Sequence, residues 1–354
     1  MSDEINPRRR QLLGAAAFGL AAAQIGITAG PGFAQASGAT NKTGTAMAPG
    51  ASLPLKRLEP LKNIDAGVLN IAYYEAGPAN GPVAMLMHGF PYDIHSFIDV
   101  VPLLTARGMR VIVPYLRGFA PTRFLDASTP RSGEQAAIGA DLIALMDALE
   151  IERAVVAGYD WGGRAACVAA ALYPERCIGL VCVNSYLIQN IAKAQMPVPP
   201  EGEVPLWYQY YFHQERGRAG LEKYRREIAR ILWAQWSPNW QFDDATFERA
   251  AIAFDSPDYV DTVIHSYRHR FGLAPGDERY LELQEKLNDQ PAITIPAITL
   301  DGNGDGVVTA TDGQSTAAFF KNKRIHRIIP GVGHNLPQEA PQAFADAVAE
   351  IANV

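Results

Sequence analysis

Six residues of the 354-residue sequence stand out for chemistry, Gly158-Tyr159-Asp160-Trp161-Gly162-Gly163. They lie between the buried-type apolar run Ala154 to Gly158 and a stretch, Gly162 to Leu172, whose apolar residues recur at helical spacing. A G-x-nucleophile-x-G pattern at such a junction describes a tight turn. Its small flanking residues relieve crowding and expose the central side chain above a helix N-terminus. The central residue here is an aspartate. A carboxylate is poorly suited to start esterase-type acyl transfer, but it can attack a saturated carbon and form an alkyl ester. An aspartate that only capped the helix would leave the three flanking glycines unexplained.

Hydrolysis of such an ester requires a base for water and a carboxylate to orient that base. Seven histidines are available: His88, His95, His213, His265, His269, His326 and His334. His334 alone closes a glycine-rich segment, Pro330-Gly331-Val332-Gly333-His334, after a late apolar run. His265 and His269 are four apart on a helical pattern and could share a metal, but no third ligand is evident, which favours a packing pair. The segment Leu300-Asp301-Gly302-Asn303-Gly304-Asp305-Gly306 resembles a calcium loop, with Asp312 where glutamate is usual. A calcium loop of that type follows a helix, whereas Ala292 to Leu300 is β-branched and interrupted by Pro296, so the context argues against calcium.

The elements that must position these residues read as alternating strands and helices. Val83 to Met87, Arg110 to Pro114, Ala154 to Gly158 and Ile178 to Val183 are short apolar runs, and Glu134 to Leu149 carries a helical pattern. This rhythm predicts βαβ units around a parallel sheet. It breaks from Tyr186 to Gln290. There a proline-rich start (Pro197, Pro199, Pro200, Pro205) precedes helical patterns near 216–232, 244–254, 257–270 and 277–288. The rhythm resumes with Ala292 to Leu300, Arg324 to Ile329 and a terminal helix over 338–352. One helical insertion in a single α/β unit is the economical reading, with a core at 54–185 and 290–354 and a cap at 186–289.

Residues 1–36 read as an export signal. Arg8-Arg9-Arg10 precedes Gln11-Leu12-Leu13 and a Gly/Ala-rich apolar stretch that ends at Ala34-Gln35-Ala36, an A-x-A cleavage pattern. The Arg9-Arg10-x-Leu-Leu order resembles a twin-arginine signal, which predicts a periplasmic or secreted protein. Residues 37–53, rich in Ser, Gly, Thr and Ala, read as a flexible linker, and no segment after the signal is long and apolar enough to span a membrane. With 31 Lys and Arg against 37 Asp and Glu, the net charge of −6 lacks the basic footprint of a nucleic-acid binder. Cys167, Cys177 and Cys182 are too few for a disulfide framework and read as small buried hydrophobes.

The aspartate turn together with His88-Gly89-Phe90-Pro91 after a strand resembles the α/β-hydrolase superfamily, in its epoxide-hydrolase and haloalkane-dehalogenase branch. The likeness runs from about Pro54 to Val354. It implies an α/β-hydrolase fold with a helical cap, Asp160 as nucleophile, and an oxyanion hole from the backbone N–H groups of Phe90 and Trp161. It further implies His334 as the base ahead of the last helix, and no cofactor or metal. His88 reads as ordering its loop. One family position for the orienting acid, at the end of the strand after the nucleophile, falls on Asn184 and cannot be charged. The other selects Asp305, with Asp301 as fallback.

In the epoxide hydrolases two cap tyrosines donate to the oxygen of the opening ring. Trp207-Tyr208-Gln209-Tyr210-Tyr211-Phe212 resembles the first tyrosine segment, matching at Tyr208, and Ser266-Tyr267-Arg268 resembles the second, matching at Tyr267. Tyr210 and Tyr211 lie close enough in sequence to compete with Tyr208. With Trp207 they are also candidates to line the pocket of a small apolar substrate. Dehalogenases share Asp160 and His334 but need halide donors. Trp161 could be one, yet Phe90 stands where many of those enzymes carry Asn. Fluoroacetate dehalogenases have an Arg where this chain has Trp161, although Arg164 matches their second Arg. The resemblance therefore implies an epoxide hydrolase that forms a vicinal diol, with a hydrolytic dehalogenase or a catalytically silent ligand-binding member as alternatives.

Overall fold

The structure is a computed structural model that describes residues 56–353. The expected signal (1–36) and linker (37–53) lie outside the described residues. A nine-stranded sheet runs in the order β1-β2-β4-β3-β6-β7-β8-β9, with β5 (Arg123–Phe124) paired to β2. Strands β1 (Leu61–Ala66) and β2 (Leu69–Ala76) form an antiparallel hairpin at one edge. Strands β3 (Val83–Met87), β4 (Arg110–Pro114), β6 (Ala154–Gly158), β7 (Cys177–Val183), β8 (Ala297–Gly302) and β9 (Arg324–Ile329) are mutually parallel. Helices cover both faces of a parallel sheet, which is why β6 and β8 are buried along their whole length.

Helices α1 (Val100–Thr105), α2 (Gln135–Ala148) and α3 (Asp160–Leu172) connect the core strands. Small residues let α2 and α3 approach closely, and a Cβ on Gly139 would lie 2.2 Å from Val168 Cγ1. Between β7 and β8 the chain forms only helices: α4 (Pro200–Glu203), α5 (Trp207–His213), α6 (Glu215–Trp236), α7 (Asp244–Ala251), α8 (Tyr259–His269) and α9 (Leu281–Asn288), with 3₁₀ turns between some of them. This cap is joined to the core by aromatic packing, with Trp233 donating its indole N–H to Pro91 O at 2.7 Å. The chain ends with α10 (Leu336–Glu339) and α11 (Pro341–Ala352).

Several elements depart from the sequence reading. The strand expected over 292–300 begins only at Ala297, because Pro296 supplies no N–H for the ladder; Ile293 makes just an isolated bridge to Phe320. The terminal helix is two pieces, broken at Ala340 before Pro341. Neither the β1–β2 hairpin nor the helix Trp207–His213 is anticipated by periodicity. Cys167, Cys177 and Cys182 are all buried and free, as their apolar settings suggest.

Candidate active site

The carboxyl ends of the parallel strands converge on one point. Strand β3 runs into His88-Gly89-Phe90, β6 into Asp160, β7 into Asn184, β8 into Asp305 and β9 into His334. Asp160 opens α3 with φ of +50°, a left-handed conformation that costs a non-glycine residue roughly 1–3 kcal/mol. The surrounding glycines explain how the turn fits. A Cβ on Gly162 would lie 2.0 Å from Met87 O, one on Gly158 2.6 Å from the Gly162 carbonyl carbon, and one on Gly89 2.6 Å from Asp160 Cβ. The sequence pattern is thus a packing requirement for bringing the carboxylate beside the β3 loop.

Asp160 Oδ1 accepts from Phe90 N at 2.8 Å, and the Trp161 amide, next in the chain, also favours the charged carboxylate. Burial pushes its pKa up, but His334 and these two amides outweigh burial and hold it below the usual range. The side chain keeps 16% of its surface accessible, while Phe90, Trp161 and Tyr267 around it are at most 1% exposed. His334 Nε2 lies 3.7 Å from Asp160 Oδ2, beyond hydrogen-bond distance, and has no hydrogen-bond partner.

The far side of that imidazole is fixed. His334 Nδ1 donates to Asp305 Oδ2 at 2.8 Å, and Asn184 Nδ2 donates to the same oxygen at 3.3 Å. The second oxygen of Asp305 accepts from the amides of Val307 and Val308. Burial alone lowers the His334 pKa, but the charges of Asp305 and Asp160 overcome it and raise the value to about 10. The histidine loop is held to the cap: His334 N donates to Trp236 O at 3.2 Å and to Ser237 Oγ at 3.1 Å, and Ser237 Oγ donates to Glu339 at 2.6 Å. Trp236 O also accepts from Gly306 N at 2.9 Å, so one cap carbonyl ties together the loops that carry His334 and Asp305.

Two cap phenols close the site. Tyr208 on α5 and Tyr267 on α8 are 3% and 0% exposed, with ring centroids 5.2 Å apart. Phe90 packs against both, at 6.3 Å and 5.3 Å, and Trp236 packs against Tyr208 at 5.2 Å and His334 at 5.1 Å. The Tyr267 hydroxyl accepts at 3.3 Å from Nε1 of Trp161, beside Asp160 in the chain. Burial, reinforced by the charge of Asp160, raises both phenols, Tyr208 to about 12, so each remains a proton donor at neutral pH.

A sequence model described as the alpha/beta hydrolase fold matches residues 82–341. The chain is an α/β-hydrolase. It belongs to the epoxide-hydrolase branch of that superfamily. It is 45% identical to a Klebsiella pneumoniae protein provisionally described as an epoxide hydrolase; that crystal structure superposes with a TM-score of 0.83 over 85% of this chain and 100% of its own. It is 26% identical over 324 residues to epoxide hydrolase A of Mycobacterium tuberculosis, spanning 81% of this chain and 95% of that protein. Human epoxide hydrolase 4 is 24% identical over 286 residues, 78% of this chain and 74% of that one.

Not every residue singled out in the sequence lies at the carboxylate of this hydrolase. Tyr210 is 40% exposed and its hydroxyl donates to Glu203. The Tyr211 hydroxyl packs on Gly220 of α6, and Trp207 donates to Gln235 at 3.0 Å near the surface. Of the three tyrosines in α5, only Tyr208 packs against Phe90 beside Asp160. His88 is buried and accepts from Leu116 N at 3.1 Å through Nε2, which orders the β3 loop. Asp301 is separate from His334 and accepts from Thr311 N, while Asn303 and Asp312 accept from Gly331 N and Gln314 N, so the calcium-like residues serve different local turns. His265 and His269 stack at 5.6 Å, and His269 meets Glu134 at 3.3 Å; among the described residues no group of three or more His, Cys, Asp or Glu is placed to hold a metal. Sequence reasoning missed the contributions of Asn184, Ser237 and Glu339. Asn184 carries a signal in hindsight, since a polar amide ends a strand that leads straight to the site.

Proposed function

We propose that this hydrolase opens epoxides to vicinal diols through an alkyl ester on Asp160. The observation that carries the reading is the pair of buried phenols, Tyr208 and Tyr267, packed 5.2 Å apart against Phe90, whose amide donates to Asp160. Asp160 attacks an oxirane carbon, the C–O bond breaks, and a phenol gives its proton to the departing oxygen. Ester formation removes the Asp160 charge that helps to keep His334 protonated. The imidazolium then releases its proton, restoring the phenol through solvent, and becomes the neutral base the second step needs. Held by Asp305, it takes a proton from water as that water attacks the ester carbonyl. The amide of Phe90, which already donates to the carboxylate, and that of Trp161 stabilise the oxyanion. Collapse breaks the ester C–O bond, the departing alkoxide takes the remaining proton of the added water, and the diol leaves with Asp160 again a carboxylate and His334 protonated.

The test is a panel of epoxides and haloalkanes assayed for diol and for halide. Diol formation from epoxides, abolished in Asp160→Asn, supports the reading. Halide release without diol would instead assign a dehalogenase, with the Trp161 indole as halide donor. No turnover on either panel would favour a ligand-binding role. The Arg9-Arg10-x-Leu-Leu segment supports a further proposal, export through a twin-arginine route; periplasmic recovery lost in an Arg9→Lys/Arg10→Lys variant is its check.

A further inference from the structure

Two guanidinium groups close to the reacting side chains lack a carboxylate partner. Arg164 follows Asp160 by one turn on α3, and Arg270 follows Tyr267 by three residues at the end of α8. Both line a cavity of about 510 Å³ at the seam of cap and core. Arg164 hydrogen-bonds only through Nη1, to Gln135 Oε1 and Leu187 O, and Arg270 only through Nε, to Gln189 Oε1. Among the described residues neither forms an ion pair. A neutral side chain could serve those neutral acceptors; what a guanidinium adds is charge. Burial and the neighbouring Arg270 pull the Arg164 pKa down to about 9 against the opposing charge of Asp160, so an anion held between the two arginines would favour their charged forms.

The cavity adjoins the catalytic pair. Gln209 on its wall donates to the Tyr208 hydroxyl at 2.8 Å, and the Arg270 guanidinium carbon lies 5.4 Å from the centre of the Tyr267 ring. Lys193 adds a third cation to the wall. The one acid there, Glu203, accepts from the Tyr210 hydroxyl and Val198 N and keeps its charge, so the wall carries three cations against one anion. Leu187, Leu206 and Phe271 supply apolar surface between the charges.

We propose that this cavity receives the substituent of the epoxide and that Arg164 and Arg270 bind a carboxylate on it, which makes epoxy acids with an apolar body the preferred substrates. Planar guanidinium groups suit a carboxylate because each can offer it two parallel N–H donors. The inference rests on the epoxide reading and narrows its substrate class.

The experiment compares one apolar epoxide carrying a terminal carboxylate with its methyl ester at low salt. The acid is expected to be favoured in kcat/KM by about tenfold to a hundredfold, as one or two charge-assisted contacts allow. Added salt should erode that preference. In Arg164→Gln and Arg270→Gln the acid-to-ester ratio should fall toward unity, whereas Arg270→Lys, which keeps the charge, should retain part of it. If the wild-type enzyme hydrolyses the ester at least as well as the acid, or if the ratio survives both glutamine variants, the inference is overturned and the epoxide reading stands. Failure of acid, ester and uncharged epoxides alike overturns both. The wild-type ratio and its salt dependence need no variant to fold.

Discussion

Removing the charge of Asp160 should move the titration of His334 by an amount the geometry sets. The imidazole lies between Asp305 at 2.8 Å and Asp160 at 3.7 Å, and its pKa is raised to about 10. At 3.7 Å and an effective dielectric constant near 20, one unit charge contributes about 4.5 kcal/mol, a little over three pKa units before screening by solvent at the partly accessible side chain reduces it. Asp160→Asn preserves shape and should bring His334 down to between about 7 and 8. Imidazole ¹H–¹⁵N spectra across pH 5 to 11 read this directly. The same coupling acts on stability. A raised histidine pKa stabilises the fold fully below the unfolded value near 6.5 and loses that contribution as pH climbs through about 10. The wild type should therefore lose stability across that alkaline window more steeply than Asp160→Asn. A His334 that titrates near 6.5 in the wild type, or stays near 10 in the variant, would refute the argument that the ester itself switches the base on.

Other consequences follow from neighbouring contacts. Tyr208→Phe and Tyr267→Phe should each lower kcat for an epoxide, and the double variant by about a hundredfold or more, with chromatographic diol assays as the measure. Asp305→Asn should leave alkylation competent but slow hydrolysis, so that mass spectrometry finds the ester accumulated on the peptide bearing Asp160. Asn184→Ala removes one donor from Asp305 and should cost about 1 kcal/mol, shifting the alkaline limb of the pH–rate profile while leaving KM little changed. Gly162→Ala places a Cβ 2.0 Å from Met87 O, and thermal denaturation should show a loss of about 3 kcal/mol or more.

The legible parts of the molecule are those in which local sequence and packing share a cause. Gly158, Asp160 and Gly162 reveal the turn because any Cβ at either glycine would strike backbone atoms. The central strands show as continuous apolar runs because both their faces are covered. The hairpin of β1 and β2 escapes notice: its exposed edge and mixed polarity leave no clean alternation, and the burial of β1 is irregular. The short helix α5 hides in a run of aromatics whose spacing decides nothing, so three tyrosines within four residues look equivalent by pattern and only family resemblance singles out Tyr208; tertiary packing turns Tyr208 inward, Tyr210 to Glu203 and Tyr211 onto Gly220. Asp305 could be reached through family resemblance, but the clasp of Trp236, Ser237 and Glu339 around the histidine loop joins residues about a hundred positions apart. No local pattern carries such a contact.

A single turnover in ¹⁸O-water with enzyme in excess tests most directly whether a carboxylate, rather than water, makes the first bond to carbon. The diol of that turnover should carry unlabelled oxygen taken from Asp160, and the peptide containing residue 160 should gain ¹⁸O. Label appearing in the first-turnover diol while that peptide stays unlabelled would contradict the account.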